Sequence, residues 1–300
     1  MESKQPQRWL DFYERGWKVR GDLVKGELAK GATPFAALQK VFRFENLNDF
    51  GCRSDGSSEW IKKEYPAGSL TPVNTPWVRQ GALFGKIITI PNYATPLQLV
   101  AEYLDENEFD VVLELGAGMG HNLIELLARG TSKKMEFIAG EYTKSGQEMA
   151  AALFASMPDV KSKVFFFDWK NPDFSSLNIE DKRVFLFSCH SCEQVTYLPS
   201  DLFDRLSRAG KYVRGFHFEP FGFQYGNPGE AETESSKIQR EFFETNSWNQ
   251  NFMDVFWKAK ESRVINLTHL AKECFVPEDP CNATSFAAWD NQIDVEKTPL

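Results

Sequence analysis

The sequence predicts an α/β fold in which a mostly parallel sheet is covered by helices on both faces. The main observation is an alternation of short apolar segments with helical segments between residues 110 and 219. Such alternation is typical of parallel strands joined by covering helices. The composition agrees with a folded chain, because 42% of the 300 residues are hydrophobic and 25% are charged.

The first hundred residues predict helices and loops ahead of the sheet. Residues 8–30 carry apolar side chains at helical spacing and are followed by Gly31, a typical helix stop. Residues 45–85 are rich in Asn, Gly, Ser and Pro and predict a loop with short elements. A helix is predicted from Thr95 to about Glu106, with Pro96 in its first turn. We therefore expect residues 1–94 to form a largely helical cap and residues 95–300 to form the main domain.

The alternation itself predicts five strands and three helices. The strands are expected at 110–115, 135–141, 164–167, 183–188 and 212–219, and the helices at 122–129, 145–157 and 200–208. The tail departs from this pattern. Residues 237–260 predict one long aromatic-rich helix, and residues 262–269 and 283–290 predict two strands joined by a turn.

Charge and cysteine content restrict the possible function. A formal net charge of −8 disfavours partners such as nucleic acid or an anionic membrane. Five Cys at irregular spacing do not suggest a disulfide framework. The N-terminal residues have no apolar h-region, so we expect no secretory signal, and no apolar run approaches the ~20 residues that cross a bilayer. We expect a cytoplasmic protein without a membrane or nucleic-acid partner.

A glycine-rich turn follows the first predicted strand of the alternation. Glu114 begins it, and Gly116, Gly118 and Gly120 follow at every second position. Glycines here allow a close approach of a ligand to the backbone, and the next helix offers its N-terminal amides. The dinucleotide fingerprint needs a glycine at position 121, which is His121. The turn therefore disfavours an NAD-dependent oxidoreductase.

Two acidic residues end the next two strands. Glu141 lies 27 residues after Glu114, and Asp168 lies 27 residues after Glu141. A carboxylate at the first position can accept hydrogen bonds from both ribose hydroxyls, and one at the second can accept from an adenine amino group. Tyr142 or Trp169 can pack against the adenine ring.

These residues resemble the class I S-adenosylmethionine-dependent methyltransferases over roughly residues 95–290. That family has an acidic-x-Gly-x-Gly-x-Gly turn, followed by acidic residues that end the second and third strands. The resemblance implies a Rossmann-like seven-stranded sheet, mostly parallel, whose last strand is antiparallel, and S-adenosyl-L-methionine as the cofactor. By the same resemblance, Glu114, Gly116 and Gly118 face the methionine part, Glu141 the ribose and Asp168 the adenine.

Tyr93 precedes the first helix of the main domain. Its hydroxyl can reach the cofactor carboxylate or the substrate, but an aromatic packing role fits the sequence equally well.

Polar residues that follow the fourth and fifth strands are the candidate catalytic set: His190, Glu193, His217 and Glu219. Three hypotheses remain open. One His acts as general base on a hydroxyl or amine; or the carboxylates bind a cationic amine and positioning supplies the acceleration; or His190, Cys189, Cys192 and the carboxylates bind a metal. In the plain alternative, the Cys are buried fillers and one His is structural.

These expectations lead to a methyltransferase of a small molecule or short peptide, with a nitrogen acceptor slightly favoured. An oxygen acceptor, such as a sugar or natural-product hydroxyl, is the close alternative. A non-catalytic cofactor-binding partner subunit is a third hypothesis, which the polar sets near 190 and 217 disfavour. We expect no bound metal.

Overall fold

A computed structural model of the chain describes residues 5–52, 58–62, 78–83, 86–91, 94–226, 232–275 and 283–292. The helices are α1 Gln5–Ala29, α2 Pro34–Leu47, α3 Ala94–Glu106, α4 His121–Ala128, α5 Lys144–Ala155, α6 Leu202–Ser207, α7 Glu234–Asn246 and α8 Phe252–Glu261. The strands are β1 Asn48–Cys52, β2 Ser58–Lys62, β3 Val78–Leu83, β4 Lys86–Pro91, β5 Val111–Leu115, β6 Glu136–Glu141, β7 Ser162–Phe166, β8 Arg183–Cys189, β9 Tyr212–Glu219, β10 Asn266–Phe275 and β11 Thr284–Asp290.

Seven strands form the central sheet in the order β10-β11-β9-β8-β5-β6-β7. Strands β5 to β9 pair in parallel, and β11 pairs antiparallel with both β9 and β10. The interior strand β5 is buried along its whole length, as expected where helices cover both faces. The predicted Rossmann-like sheet of seven strands with an antiparallel last strand is confirmed.

Helices pack on both faces of this sheet and form two apolar cores. One core joins the sheet to α1–α5, with Val24, Leu38, Val100, Leu123, Leu153 and Phe185 among its buried members. The other joins the opposite face to α6 and α8, with Leu186, Phe203, Phe252, Phe256 and Trp289 among its members. Because parallel strands run side by side, their carboxyl ends meet at one edge, and the polar residues gather there.

The N-terminal segment contains two helices and two short antiparallel hairpins. Helix α1 packs against α5, and α2 packs against α4. Strand β1 pairs with β2, and β3 pairs with β4. The helix predicted at 8–30 is confirmed as α1, and the short elements predicted at 45–85 are strands where the structure describes them.

The prediction of one long helix over 237–260 is wrong. The chain forms α7 and α8, separated by a polar linker at residues 247–251. Ser247 takes a left-handed conformation (φ 55°) and ends α7, a conformation that stops a helix. Asn249 is 2% exposed and holds the linker: its Nδ2 donates to Val195 O at 2.7 Å, and its Oδ1 accepts from Phe252 N at 2.9 Å. Its backbone N–H also donates to Glu193 O at 2.8 Å.

The first tail strand begins later than predicted, at Asn266 instead of residue 262. Arg263 has a positive φ of 56° in the turn that precedes it. None of the described helices combines the length and the apolar character that crossing a membrane requires.

Candidate functional site

The glycine turn lies between β5 and α4, and two of its glycines are closely approached by other segments. Gly116 and Gly118 both have positive φ, 74° and 54°. A Cβ at position 116 would lie 2.3 Å from Ser191 Cβ, and a Cβ at position 118 would lie 2.6 Å from Trp17 Cζ2. The turn therefore needs glycine for its backbone conformation and for its neighbours.

Glu141 ends β6 beside this turn and is 5% exposed. Its Oε2 accepts from Gly118 N at 2.8 Å, and its Oε1 accepts from Thr143 N at 2.9 Å and from Thr143 Oγ1 at 2.5 Å. Burial raises the pKa of Glu141, and these hydrogen bonds oppose that shift. A carboxylate has about four acceptor sites, so one remains beyond these three bonds.

Glu114 is the penultimate residue of β5, two positions before Gly116, and is 1% exposed. Its Oε1 accepts from Asn122 Nδ2 at 2.6 Å, and its Oε2 is buried without a hydrogen-bond partner among the described residues. Burial raises the pKa of Glu114 to about 8, while the hydrogen bond from Asn122 acts in the opposite direction. A polar ligand group or a proton is the natural partner of such an oxygen.

The edge at β6 and β7 holds the predicted adenine-side residues. Tyr142 is 46% exposed, and its ring lies 5.2 Å from that of Phe166, which is 57% exposed. Asp168 lies two residues beyond and accepts from Lys170 N at 2.8 Å. Trp169 instead lies in the second core with 5% exposure, 5.0 Å from the ring of Phe167. The geometry favours Tyr142 over Trp169 as the aromatic face at this edge.

The loop after β8 is held to the end of β9 by Glu219. The Glu219 carboxylate accepts from Ser191 N at 3.0 and 3.2 Å and from Cys192 N at 3.5 Å. Ser191 Oγ also donates to Leu115 O at 2.8 Å, which joins the loop to β5. Burial, together with the nearby charge of Glu193, raises the pKa of Glu219 to about 7. Glu219 thus anchors the loop through the backbone.

His190 and Glu193 contact each other through their side chains in this loop. His190 Nδ1 lies 3.2 Å from Glu193 Oε2, and His190 Nε2 lies 2.6 Å from Thr284 Oγ1 at the start of β11. His190 follows the end of β8 and has a positive φ of 49°, a backbone conformation that is uncommon for a residue other than glycine. Burial lowers the pKa of His190. The charge and hydrogen bond of Glu193 and the charge of Glu219 outweigh burial, so the pKa is raised above its ordinary value.

His217 does not join this group, contrary to the catalytic role expected for it. It is fully buried, with Nδ1 2.9 Å from Ser188 Oγ and Nε2 accepting from Trp289 Nε1 at 2.9 Å. Burial lowers the pKa of His217 to about 3, so the ring stays neutral. Both nitrogens are satisfied within the second core, the arrangement of a structural histidine.

The structure also brings in residues that the sequence did not single out. Thr284 contacts His190, Ser191 bonds to Glu219 and β5, and Trp17 of α1 lies beside Gly118 with the Tyr13 ring stacked on it. A polar residue at the start of the antiparallel strand was the available signal for Thr284. Tyr93 lies outside the described residues. Within the described ranges, no three His, Cys, Asp or Glu side chains are grouped to hold a metal ion.

No family model and no curated protein matches the chain. Among solved structures, it resembles a SAM-dependent methyltransferase from Aquifex aeolicus at 12% identity, over 65% of this chain and 89% of that one, with a TM-score of 0.40. It also resembles the plantazolicin methyltransferase BpumL in complex with a monoazolic desmethylPZN analog and SAH, at 11% identity, 68% and 87% coverage and a TM-score of 0.43. For the N-terminal domain of EvdMO1 with SAH bound, the values are 14%, 73%, 92% and 0.42.

Proposed function

We propose that the chain is an S-adenosylmethionine-dependent methyltransferase of a small molecule or short peptide. The observation that carries this proposal is Glu141, a buried strand-end carboxylate that accepts from the backbone N–H of Gly118 in the glycine turn. A carboxylate beside a turn that a ligand can approach closely is suited to accept hydrogen bonds from ribose hydroxyls, which supports the proposal. The unpartnered Glu114 Oε2 and the exposed Tyr142 ring fit the two ends of the same donor.

The donor supplies, when bound, a methyl group on a positively charged sulfur. The chain's own residues would hold it in line with an acceptor, and this positioning accounts for much of the acceleration in such a displacement. His190, paired with Glu193 and Thr284, would take the acceptor proton. An ammonium acceptor must lose that proton before its nitrogen lone pair can attack the methyl carbon.

A nitrogen acceptor is favoured because the site is rich in buried carboxylates. Glu114, Glu141, Glu193 and Glu219 are each no more than 6% exposed, and His190, beside Glu193, carries positive charge only when it is protonated. Burial of ionised acids is unfavourable, and either protonation or a nearby positive charge offsets the unfavourable free energy. A positively charged donor and a cationic amine both provide that compensation.

An oxygen acceptor is the second candidate, and the His190–Glu193 pair is the observation that favours it. A neutral imidazole oriented by a carboxylate is a general base suited to a hydroxyl. Mass spectrometry with isotopically labelled donor, on matched amine and hydroxyl libraries, distinguishes the two acceptors. Label on amines alone supports a nitrogen acceptor. Label on hydroxyls alone contradicts a nitrogen acceptor and supports an oxygen acceptor.

Donor binding is the direct test. We expect the full chain to bind S-adenosylhomocysteine (SAH) in calorimetry and not NAD. Glu141→Gln should weaken SAH binding by roughly 10- to 100-fold, since hydrogen bonds to a charged group contribute about 1.5–3 kcal/mol. Glu136→Gln is the matched control, because Glu136 begins the same strand at the opposite edge and pairs with Lys163 at 3.1 Å. Failure of the wild-type chain to bind SAH, or equal binding by Glu141→Gln, contradicts the proposal.

A further inference from the structure

Helix α1 lies over the glycine turn. Trp17 is 5% exposed, and its ring occupies the space where a Gly118 side chain would lie. Gly118 in turn donates its backbone N–H to Glu141, the proposed ribose acceptor. A donor bound at Gly118 and Glu141 must therefore either contact the Trp17 ring or displace it.

Two polar anchors hold Trp17 in this place, one on each side along α1. Three residues earlier, the Glu14 carboxylate accepts from Lys144 N at 2.9 Å and from Ser145 N at 2.8 Å. These are the first amides of α5, where a negative charge is favourable because of the helix dipole. Ser145 Oγ also donates to Glu14 O at 2.7 Å, so backbone and side chain are both engaged.

Three residues later, Arg20 forms a buried ion pair with Glu45 of α2. The Arg20 guanidinium also lies 5.3 Å from the centroid of the Trp17 ring. One residue beyond Arg20, Gly21 allows a close approach of α1 to α5, since a Cβ there would lie 2.3 Å from Met149 Cε. The anchors on both sides fix the ring of Trp17 over the turn.

Tyr13 lies one helical turn before Trp17 on α1. Its ring stacks on that of Trp17, with centroids 6.3 Å apart. Burial raises the pKa of Tyr13, and the charges of Glu193 and Glu141 raise it further. The aromatic surface that α1 presents beside the glycine turn therefore includes both the Trp17 and the Tyr13 ring.

We propose that α1 forms part of the donor site beside the glycine turn, with Trp17 as a donor-binding residue and Glu14 as the residue that positions it. This inference rests on the proposed function. It assigns to the N-terminal segment a direct part in donor binding, separate from the strand-end carboxylates. It also implies that the donor enters when the contact between Glu14 and α5 loosens.

The test uses SAH with the full chain and reads intrinsic tryptophan fluorescence. SAH should change the emission of the wild-type chain, and Trp17→Phe should remove most of that change although seven of the eight Trp remain. Trp257→Phe should keep the change, because the Trp257 ring lies on α8 and packs against Tyr225. Glu14→Gln should raise the SAH dissociation rate about tenfold, because a charge-assisted contact is replaced by a neutral one. Glu27→Gln, on the same helix, should leave it unchanged.

Hydrogen exchange on the unmodified chain provides a second readout that does not depend on how a variant folds. SAH should increase amide protection in residues 13–17 and at Lys144 and Ser145. If the wild-type chain binds SAH but Trp17→Phe and Glu14→Gln bind and release it unchanged, and protection in α1 does not rise, this inference is wrong while the proposed function stands. If the wild-type chain binds no SAH, the proposed function fails and this inference fails with it.

Discussion

Replacement of Glu114 by Gln should stabilise the protein at neutral and alkaline pH. The carboxyl has a pKa of about 8 in the folded chain against an ordinary value of 4.5. Between these two values the folded chain holds a proton that the unfolded chain releases, so the free energy of unfolding falls as the pH rises. A difference of 3.5 at about 1.36 kcal/mol for each pKa unit corresponds to a loss of at most about 5 kcal/mol by pH 8.

Gln keeps an oxygen for the Asn122 amide and adds an amide donor. Asn122 Oδ1 is itself buried without a hydrogen-bond partner among the described residues, so a neutral side chain at 114 fits the site. The Glu114→Gln variant should therefore lose much less stability between pH 5 and pH 8 than the wild-type chain. Glu219, with a pKa raised to about 7, leaves a residual slope of the same sign.

The assay is urea unfolding followed by far-UV circular dichroism at pH 5, 6, 7 and 8. Glu102→Gln is the control, since this exposed carboxylate lies on α3 and accepts a hydrogen bond from Gln98 Nε2 at 2.8 Å. Equal pH slopes in the wild-type chain and Glu114→Gln would refute the reasoning. So would a wild-type stability that increases from pH 5 to pH 8.

Four further predictions concern the site and its supports. His217→Leu should cost about 2–4 kcal/mol of stability, by leaving two buried polar partners unsatisfied, while SAH affinity measured by calorimetry stays unchanged; a lost affinity with intact stability would contradict the structural role. Gly118→Ala should destabilise by about 1–2 kcal/mol in thermal unfolding because of its positive φ, and a neutral effect would contradict the turn geometry. Asn249→Ala should lower the urea midpoint by an amount equivalent to about 2–3 kcal/mol, since it removes several buried hydrogen bonds; an unchanged midpoint counts against the linker's role. Turnover on an identified acceptor should fall as the pH drops through the raised pKa of His190, and Glu193→Gln should move this limb to lower pH; an unmoved limb excludes His190 as the titrating base.

Local pattern was sufficient for most of the sheet. Strands β5 and β9 are short, largely apolar segments bounded by turn residues. Parallel strands that are buried on both faces have this pattern, and both strands are buried along nearly their whole length. Glu114 and Glu141 were predictable as site residues because a strand that ends at the carboxyl edge delivers its last side chain there. The break between α7 and α8 was missed, because Asn249 of the linker is held by bonds to residues that are distant in sequence, such as Val195.

His217 shows a limit of reasoning from strand position. It lies on the same face of β9 as Glu219, two residues earlier, and a strand advances about 3.3 Å per residue. This step of about 7 Å places Glu219 at the edge and His217 inside the second core. Burial depth along a strand depends on what covers it, here Phe252 of α8, which sequence spacing does not reveal.

The contacts of Ser191 bear on any attempt to alter substrate preference. Its side chain fills the space beside Gly116, its hydroxyl bonds to β5 and its amide bonds to Glu219. A change that shifts the loop carrying His190 and Glu193 will therefore also press on the turn proposed to receive the donor. Libraries that vary the loop should be screened for SAH affinity as well as for new products, because selectivity and donor affinity will change together.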